Sequence, residues 1–395
     1  MMEALINGRV LCDEGLVHDR TVLIDADRIL AVVAPDDPRC ASATHRDLNG
    51  ELLLPGFIDT QVNGGGGALF NDDPSVTVIR TIAVAHRRFG TTSFLPTLIS
   101  DDLSVVARAI DAVRDAMTAN VPGVIGVHLE GPFLNEARKG THDAGKFRHL
   151  DGDAVTLLSS LKIGRTLVTL APEMTTAELI ALLAANGVII SAGHTNAAYP
   201  VIENALRHGL TGFTHLFNAM SPLGSREPGA VGAALHDADS WCGIIVDGHH
   251  VSPVVLQIAL RCKRHDRFML VTDAMSNVGT TQGSFLLQGK KIFVREGKCV
   301  DENGTLSGSA LDMASAVRNA VAMLGIDLAQ AVRMASTYPA QFLGLGHELG
   351  RIAPGYRANL VLADDQLNIH ETWIDGQSTA SDAMRETTAG GRRIS

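Results

Sequence analysis

Four residues of metal-ligand type each stand where a short apolar run stops: Glu130 after residues 124–129, His194 after 188–193, His215 after 211–214 and Asp273 after 268–272. Runs of this length, punctuated by Gly and separated by helix-length segments, fit buried parallel strands. A (β/α)8 barrel gathers the C-terminal ends of such strands on one face, where those barrels keep their chemistry. One carboxylate and two imidazoles suit a divalent ion with a position left open for water. Asp273 is then the natural base for that water, returning its proton to a leaving amine. The expectation is a metal-dependent hydrolase.

Each residue also has a plainer role to be weighed. A lone buried Glu is commonly paired with Arg, a lone strand-end His is commonly structural, and Asp273 would serve as a helix N-cap. The Gly131-Pro132 stop after Glu130, and two histidines on successive strands, favour ligation. His128 shares a strand face with Glu130 one layer deeper, and is expected to be packed and hydrogen-bonded. The loop holding Thr141 and His142 brings another imidazole near the mouth, with Arg138 and Lys139 solvating it. Arg226 and His250 could hold an anion, Arg through its fixed fork of donors. The plain alternative for Arg226 is a surface pair with Glu227.

The elements that must position these groups follow from the rest of the chain. Eight apolar runs centre near Phe57, Phe94, Val127, Val168, Ile189, Phe213, Ile244 and Leu270. Helical periodicity between them covers residues 75–89, 103–117, 176–185, 199–207 and 253–262. Strand–helix units repeated in this way predict a barrel rather than an open doubly wound sheet, whose GxGxxG turn is missing. Gly64 to Gly67 read as a flexible site loop rather than a phosphate cradle.

The two ends differ in texture. Short β segments at 4–6, 10–12, 21–25 and 29–33 are separated by Asn7-Gly8, Asp13-Glu14-Gly15 and Asp25-Ala26-Asp27 turns. Segments 359–362 and 371–374 flank Asp375-Gly376 in the same style, and residues 387–395 look frayed. The predicted organisation is a small β-sandwich domain of residues 1–53 and 352–395 beside a barrel of 54–351.

The 395-residue length accommodates both, and 46% hydrophobic content is ample for a large core. No apolar stretch reaches the roughly 18 residues of a membrane span, and the start lacks a signal-peptide pattern. Five scattered cysteines without a CxxC pair fit reduced thiols in a cytoplasm. A net charge of −10 and only 4% aromatic residues argue against nucleic acid as a partner.

These motifs resemble the amidohydrolase superfamily over nearly the whole chain, and within it the single-metal branch of the N-acetylglucosamine-6-phosphate deacetylases. The strings His128-Leu129-Glu130-Gly131-Pro132, Ser191-Ala192-Gly193-His194 and Thr214-His215-Leu216-Phe217-Asn218-Ala219-Met220 carry the narrower likeness, with Arg226-Glu227-Pro228-Gly229. The Pro55-Gly56-Phe57-Ile58-Asp59 opening is general to the superfamily. The resemblance implies a homodimer or tetramer, cytoplasmic, that removes acetate from N-acetylglucosamine 6-phosphate. It implies one divalent ion per chain, zinc first and iron, cobalt or manganese also accepted, on Glu130, His194 and His215. Asp273 becomes the acid–base and His142 the partner of the developing oxyanion. Substrate contacts fall to Gln61, Thr141, Asn218, Ala219, Arg226, His250, Leu306, Ser307 and Gly308, Arg226 reaching the neighbouring subunit's phosphate.

One departure stands out. Many superfamily members carry His-x-His at the end of the first strand, and here that position is Asp59-Thr60-Gln61. Gln is a weak neutral ligand beside imidazole, which argues for one tightly held ion. It also counts against a cyclic-amide hydrolase of the hydantoinase or dihydroorotase kind, which usually needs two. A non-catalytic sugar-phosphate-binding protein would keep Arg226 and His250 while losing ligands or base.

Overall fold

The computed structural model describes residues 2–379; the segment 387–395 lies outside them. Eight strands run in one parallel sheet: Phe57–Val62, Thr91–Ile99, Gly126–Glu130, Arg165–Leu170, Ile189–Ala192, Gly212–Phe213, Trp241–Ile244 and Phe268–Leu270. Each run singled out in the sequence holds one of them. The sheet closes where the chain past the eighth strand meets the first, through a parallel bridge between Val62 and Ala274. Asp273 N–H donates to the Gln61 carbonyl at 3.0 Å, and Thr272 donates its hydroxyl and N–H to Asp59. Asp59 is thus a closing pin of the barrel. Its burial pushes the carboxyl up to about 7 against the hydrogen bonds from Thr272 and Gln61.

The helices form as their patterns require. Val76–Arg87 is capped by the Ser75 hydroxyl accepting from Val78 N–H, and buries Ile79, Ile82, Ala83 and His86 on one face. Tyr199–Arg207 and Pro253–Cys262 carry Pro in the first turn, where its fixed φ costs no intrahelical bond.

Both ends of the chain build a second sheet, ordered Gln377–Ser378, Ile369–Ile374, Leu360–Ala363, Leu52–Pro55, Glu3–Cys12, Gly15–Asp25 and Arg28–Val33, with Thr44–Asp47 beside Glu3–Cys12. Leu53, Val22, Ile29, Leu360 and Trp373 share one apolar cluster, so its two arms face each other as a sandwich does. Leu54 and Pro55, assigned to the barrel from sequence, pair with Val361 and Leu360 in this sheet. Asn7-Gly8 is not a turn. It is a bulge inside one ten-residue strand, Asn7 at φ 58°, with the pairing slipping on either side.

A third sheet has no counterpart among the elements expected from sequence. Ser284–Leu287, Lys290–Arg295, Lys298–Val300 and Leu306–Ser309 form a four-stranded antiparallel insert between the eighth strand and the helix Met313–Leu324. Its signals were Gln288-Gly289, Glu296-Gly297 and Asn303-Gly304, pairs suited to tight turns. The glycine run is likewise pinned rather than free. Gly64–Gly65 pairs with Ala68–Leu69, and the N–H groups of Gly64, Gly66 and Gly67 donate to the carbonyls of Ala274, Val278 and Ser276. Those donors are spent on the segment after Asp273, which leaves no phosphate cradle.

Candidate active site

Glu130, His194 and His215 arrive from three different strand ends and converge. Oε1 of Glu130 lies 3.1 Å from His194 Nε2 and 3.0 Å from His215 Nε2, and the two nitrogens are 3.1 Å apart. All three residues are buried, and the ligand atoms fit within a 4.8 Å circle. Burial alone would raise the Glu130 carboxyl, but the two imidazoles outweigh it and hold it well below the usual range. His194 Nδ1 sits 2.8 Å from the Arg138 carbonyl, which can only accept. Nδ1 therefore carries the proton, and Nε2 turns its lone pair to the cluster. This is the support that metal-binding histidines usually have, so the donor set fits a divalent ion.

Strand geometry alone does not aim these groups. His194, His215 and Asp273 adopt φ of 49°, 33° and 52°, a left-handed conformation that only about a few per cent of residues other than Gly take, Asn, Asp and His most often among them. Each strand stops abruptly there, and the turn carries its side chain into the barrel mouth. Such unfavourable backbone gathers at functional sites.

Asp273 Oδ1 accepts from Asn63 Nδ2 at 2.6 Å and from Gln61 Nε2 at 3.2 Å. Burial, reinforced by the Glu130 charge, raises its carboxyl to about 6. Asn63 was not singled out from sequence. It lies two residues beyond Gln61 on the first strand's continuation, the alternation that puts Asp59, Gln61 and Asn63 on one face. Gln61 itself bridges Glu130 and Asp273 and is 2% exposed. Its amide is spent on the carboxylates, so it is a bridge between them rather than a lining substrate contact.

A cavity of about 350 Å³ opens above this cluster. Of the expected contacts, Thr141, His142, Asn218, Ala219, His250, Leu306 and Gly308 line it, beside Glu130, His194, His215 and Asp273. Ile99, Ile245, Met275 and Thr305 line it as well and were not foreseen. Ser307 is 1% exposed and lies behind the wall. Arg226 is exposed on its loop and does not line this cavity, and among the described residues no Arg or Lys does. His250 Nδ1 meets Asp247 Oδ2 at 2.6 Å, and that contact orients the ring. The Asp247 carboxyl is lowered despite burial, chiefly by His250.

The surroundings are equally specific. Burial and the neighbouring His194 press the His142 imidazole down to about 3, so the ring is neutral. His128 is packed as expected, its nitrogens 3.1 Å from Thr97 Oγ1 and 2.8 Å from Thr169 Oγ1. Arg138 does more than solvate its loop, since its carbonyl holds His194 and its guanidinium donates to Asn196. Glu173 accepts from the Thr195 hydroxyl and Asn196 N–H, both at 2.6 Å, and so fixes the turn that follows His194.

Comparison with known proteins agrees with this geometry. The amidohydrolase family profile matches residues 52–379. The N-acetylgalactosamine-6-phosphate deacetylase of Shewanella sp. (strain ANA-3) is 46% identical over 338 residues, 85% of each chain. The N-acetylglucosamine-6-phosphate deacetylase of Haemophilus influenzae is 35% identical over 380 residues, 95% of this chain and 99% of its own. The crystal structure of N-acetylglucosamine-6-phosphate deacetylase from Pasteurella multocida superposes with a TM-score of 0.92 at 37% identity, covering 96% of this chain and 100% of that one. The chain belongs to the amidohydrolase family.

Proposed function

We propose that this protein hydrolyses the acetamide of N-acetyl-D-glucosamine 6-phosphate, giving D-glucosamine 6-phosphate and acetate. The observation that carries the proposal is the convergence of Glu130, His194 and His215 with Asp273 and His142 around one cavity. A cyclic-amide hydrolase and a binding protein without catalysis are both less favoured. The deacetylase names of the relatives speak against them, and the proposed ligands, acid–base and oxyanion donor all line one cavity, which supports hydrolysis.

Glu130, His194 and His215 would hold one divalent ion, zinc first among those such a set accepts. Bound there, the ion supplies Lewis acidity to the amide carbonyl and lowers the pKa of a water. Asp273, kept ionised above its pKa, takes the water proton as the C–O bond forms. His142 donates from its ring to the carbonyl oxygen as charge gathers on it, a contribution worth a few kcal/mol, about 3, in comparable sites. Asp273 then gives its proton to the nitrogen as the C–N bond breaks. Asn218, Ala219 and His250 position the phosphosugar, and since no Arg or Lys among the described residues lines the wall, a cation from elsewhere has room to reach it. In a homodimer that cation is the partner's counterpart of Arg226. The compartment is the cytoplasm; among the described residues no helix is long and apolar enough to cross a membrane, and all five cysteines are free.

Acetate release from N-acetylglucosamine 6-phosphate, set beside unphosphorylated N-acetylglucosamine, tests the proposal. Metal content is measured on the same sample. The 46% identical relative carries the galactosamine name, so N-acetylgalactosamine 6-phosphate is the second substrate in that assay. Turnover of hydantoin or dihydroorotate without acetate release would overturn the proposal.

A further inference from the structure

His142 is supported by two elements remote from it in sequence. Its Nδ1 faces Ser100, whose hydroxyl oxygen lies 2.8 Å away and whose backbone nitrogen lies 3.4 Å away. A backbone N–H can only donate, so Nδ1 is the bare, accepting nitrogen. The ring proton therefore sits on Nε2, across the ring from Ser100. The Ser100 hydroxyl has one proton to give, and its other acceptor, the Glu130 carbonyl, is farther off at 3.4 Å. Both donors of Ser100 thus select the same tautomer.

Ser100 follows the second barrel strand, is 1% exposed and does not line the cavity. It reaches its place because Gly131 has no side chain. A Cβ there would lie 2.2 Å from the Ser100 hydroxyl oxygen. The Ser100 carbonyl in turn accepts from Gln288 Nε2 at 2.8 Å. Gln288 sits in the first turn of the insert, at φ 49° and followed by Gly289 at φ 79°, as a tight hairpin requires. Leu287 beside it shares an apolar cluster with Ile99, so the insert docks on both residues at that strand end. The far end of the same insert contributes Thr305, Leu306 and Gly308 to the cavity wall.

We propose that Ser100, clamped by Gln288, is a positioning residue that fixes His142 in its Nε2–H tautomer and aims that N–H at the oxygen of the scissile acetamide. The identity of that oxygen rests on the deacetylase proposal above; the tautomer does not. The insert then has two tasks, since it touches the cavity with one edge and braces the oxyanion donor with the other.

Nitrogen NMR of the zinc-loaded enzyme, carrying nitrogen-labelled histidine, tests the assignment. The His142 signals are those lost in His142→Gln. In the unaltered protein Nδ1 should resonate as an unprotonated nitrogen and Nε2 as a protonated one. Ser100→Ala keeps the backbone donor but loses the shorter hydroxyl contact. It should mix the tautomers and lower kcat about tenfold or more, the usual scale for such supports, with KM and zinc content little changed. Gln288→Met leaves the Ser100 hydroxyl in place and should give a smaller loss of the same kind, so the question stays answerable if Ser100→Ala fails to fold. A protonated Nδ1 in the unaltered protein overturns the proposal. So does wild-type kcat with an unchanged tautomer in Gln288→Met, or in a folded Ser100→Ala. If the unaltered enzyme releases no acetate at all, it is the deacetylase proposal that fails, and the NMR still decides the role of Ser100.

Discussion

The side-chain amide of Gln61 donates to Glu130, its Nε2 3.3 Å from Oε1 and 3.2 Å from Oε2. The same nitrogen lies 3.2 Å from Asp273 Oδ1. A neutral donor therefore stands between two carboxylates, where a second cation would otherwise balance them. The amide nitrogen lessens their mutual repulsion by donating to both, and the carbonyl oxygen of the same group is a weaker metal ligand than the imidazole of a His-x-His pair.

One tightly bound ion per chain is the expected stoichiometry. His194→Ala or His215→Ala should lose it, since each removes one of three protein ligands. Elemental analysis finding two firmly held ions, both needed for turnover, would sink this assignment.

Asn63 should tune the acid–base. Its N–H at 2.6 Å favours the charged form of Asp273. Asn63→Ala removes that donor, so the pKa of Asp273 rises and a larger fraction is protonated at any given pH. A protonated Asp273 cannot accept from water, so the acid limb of kcat should move to higher pH. The deficit should be largest on the acid limb, at or below about pH 6, and small well above it, read against the raised value of about 6 that burial and the Glu130 charge give the carboxyl. An unmoved limb would mean that Asn63 does not act on the base.

Arg226 is expected to act across the proposed homodimer. Its loop is exposed, and among the described residues no Arg or Lys lines the cavity of its own chain. Arg226→Ala should cost roughly 10-fold to 150-fold in kcat/KM on the phosphorylated sugar, the range of a lost charge-assisted pair of about 1.5–3 kcal/mol. The rate on the unphosphorylated sugar should scarcely change. Mixing inactive Asp273→Asn chains with Arg226→Ala chains should restore partial activity, because one site of the heterodimer then has both groups intact. No recovery in a proven heterodimer would place Arg226 outside the site.

Much of this site was legible because its chemistry coincides with strand ends. Glu130, His194, His215 and Asp273 each follow an apolar run, and a parallel barrel brings such ends to one face. Tyr199–Arg207 and Pro253–Cys262 were legible because Pro marks their starts and their periodicity runs unbroken. What escaped notice depends on long-range pairing. Ser100 and Gln288 meet across 188 positions of sequence, and neither has a local signal for the contact. The insert at residues 284–309 was hidden by half-exposed strands, with Phe285 only partly buried and Leu286 exposed. Asn7-Gly8 misled for a different reason: a left-handed φ serves a bulge as well as a turn.

Asp273 is the residue on which the proposed mechanism turns. Asn keeps its size and can still hydrogen-bond, but it neither accepts a proton from water nor delivers one to nitrogen. A positioned acid–base group typically contributes about 10²–10⁴-fold, and this one serves both halves of the reaction. Asp273→Asn should therefore keep the metal on Glu130, His194 and His215 and bind substrate, while kcat falls at least about 10³-fold. The unaltered enzyme should lose activity as pH falls, because protonation of Asp273 removes the base. In the metal-free pocket the carboxyl stands near 6, raised by burial and by the Glu130 charge. A bound dication opposes that charge, so the acid limb of the loaded enzyme should lie below about 6. Metal content and substrate affinity measured beside kcat decide the matter. Loss of the metal would make Asp273 a structural ligand, and near-normal turnover would move the base elsewhere, with His142 the next group at hand in the same cavity.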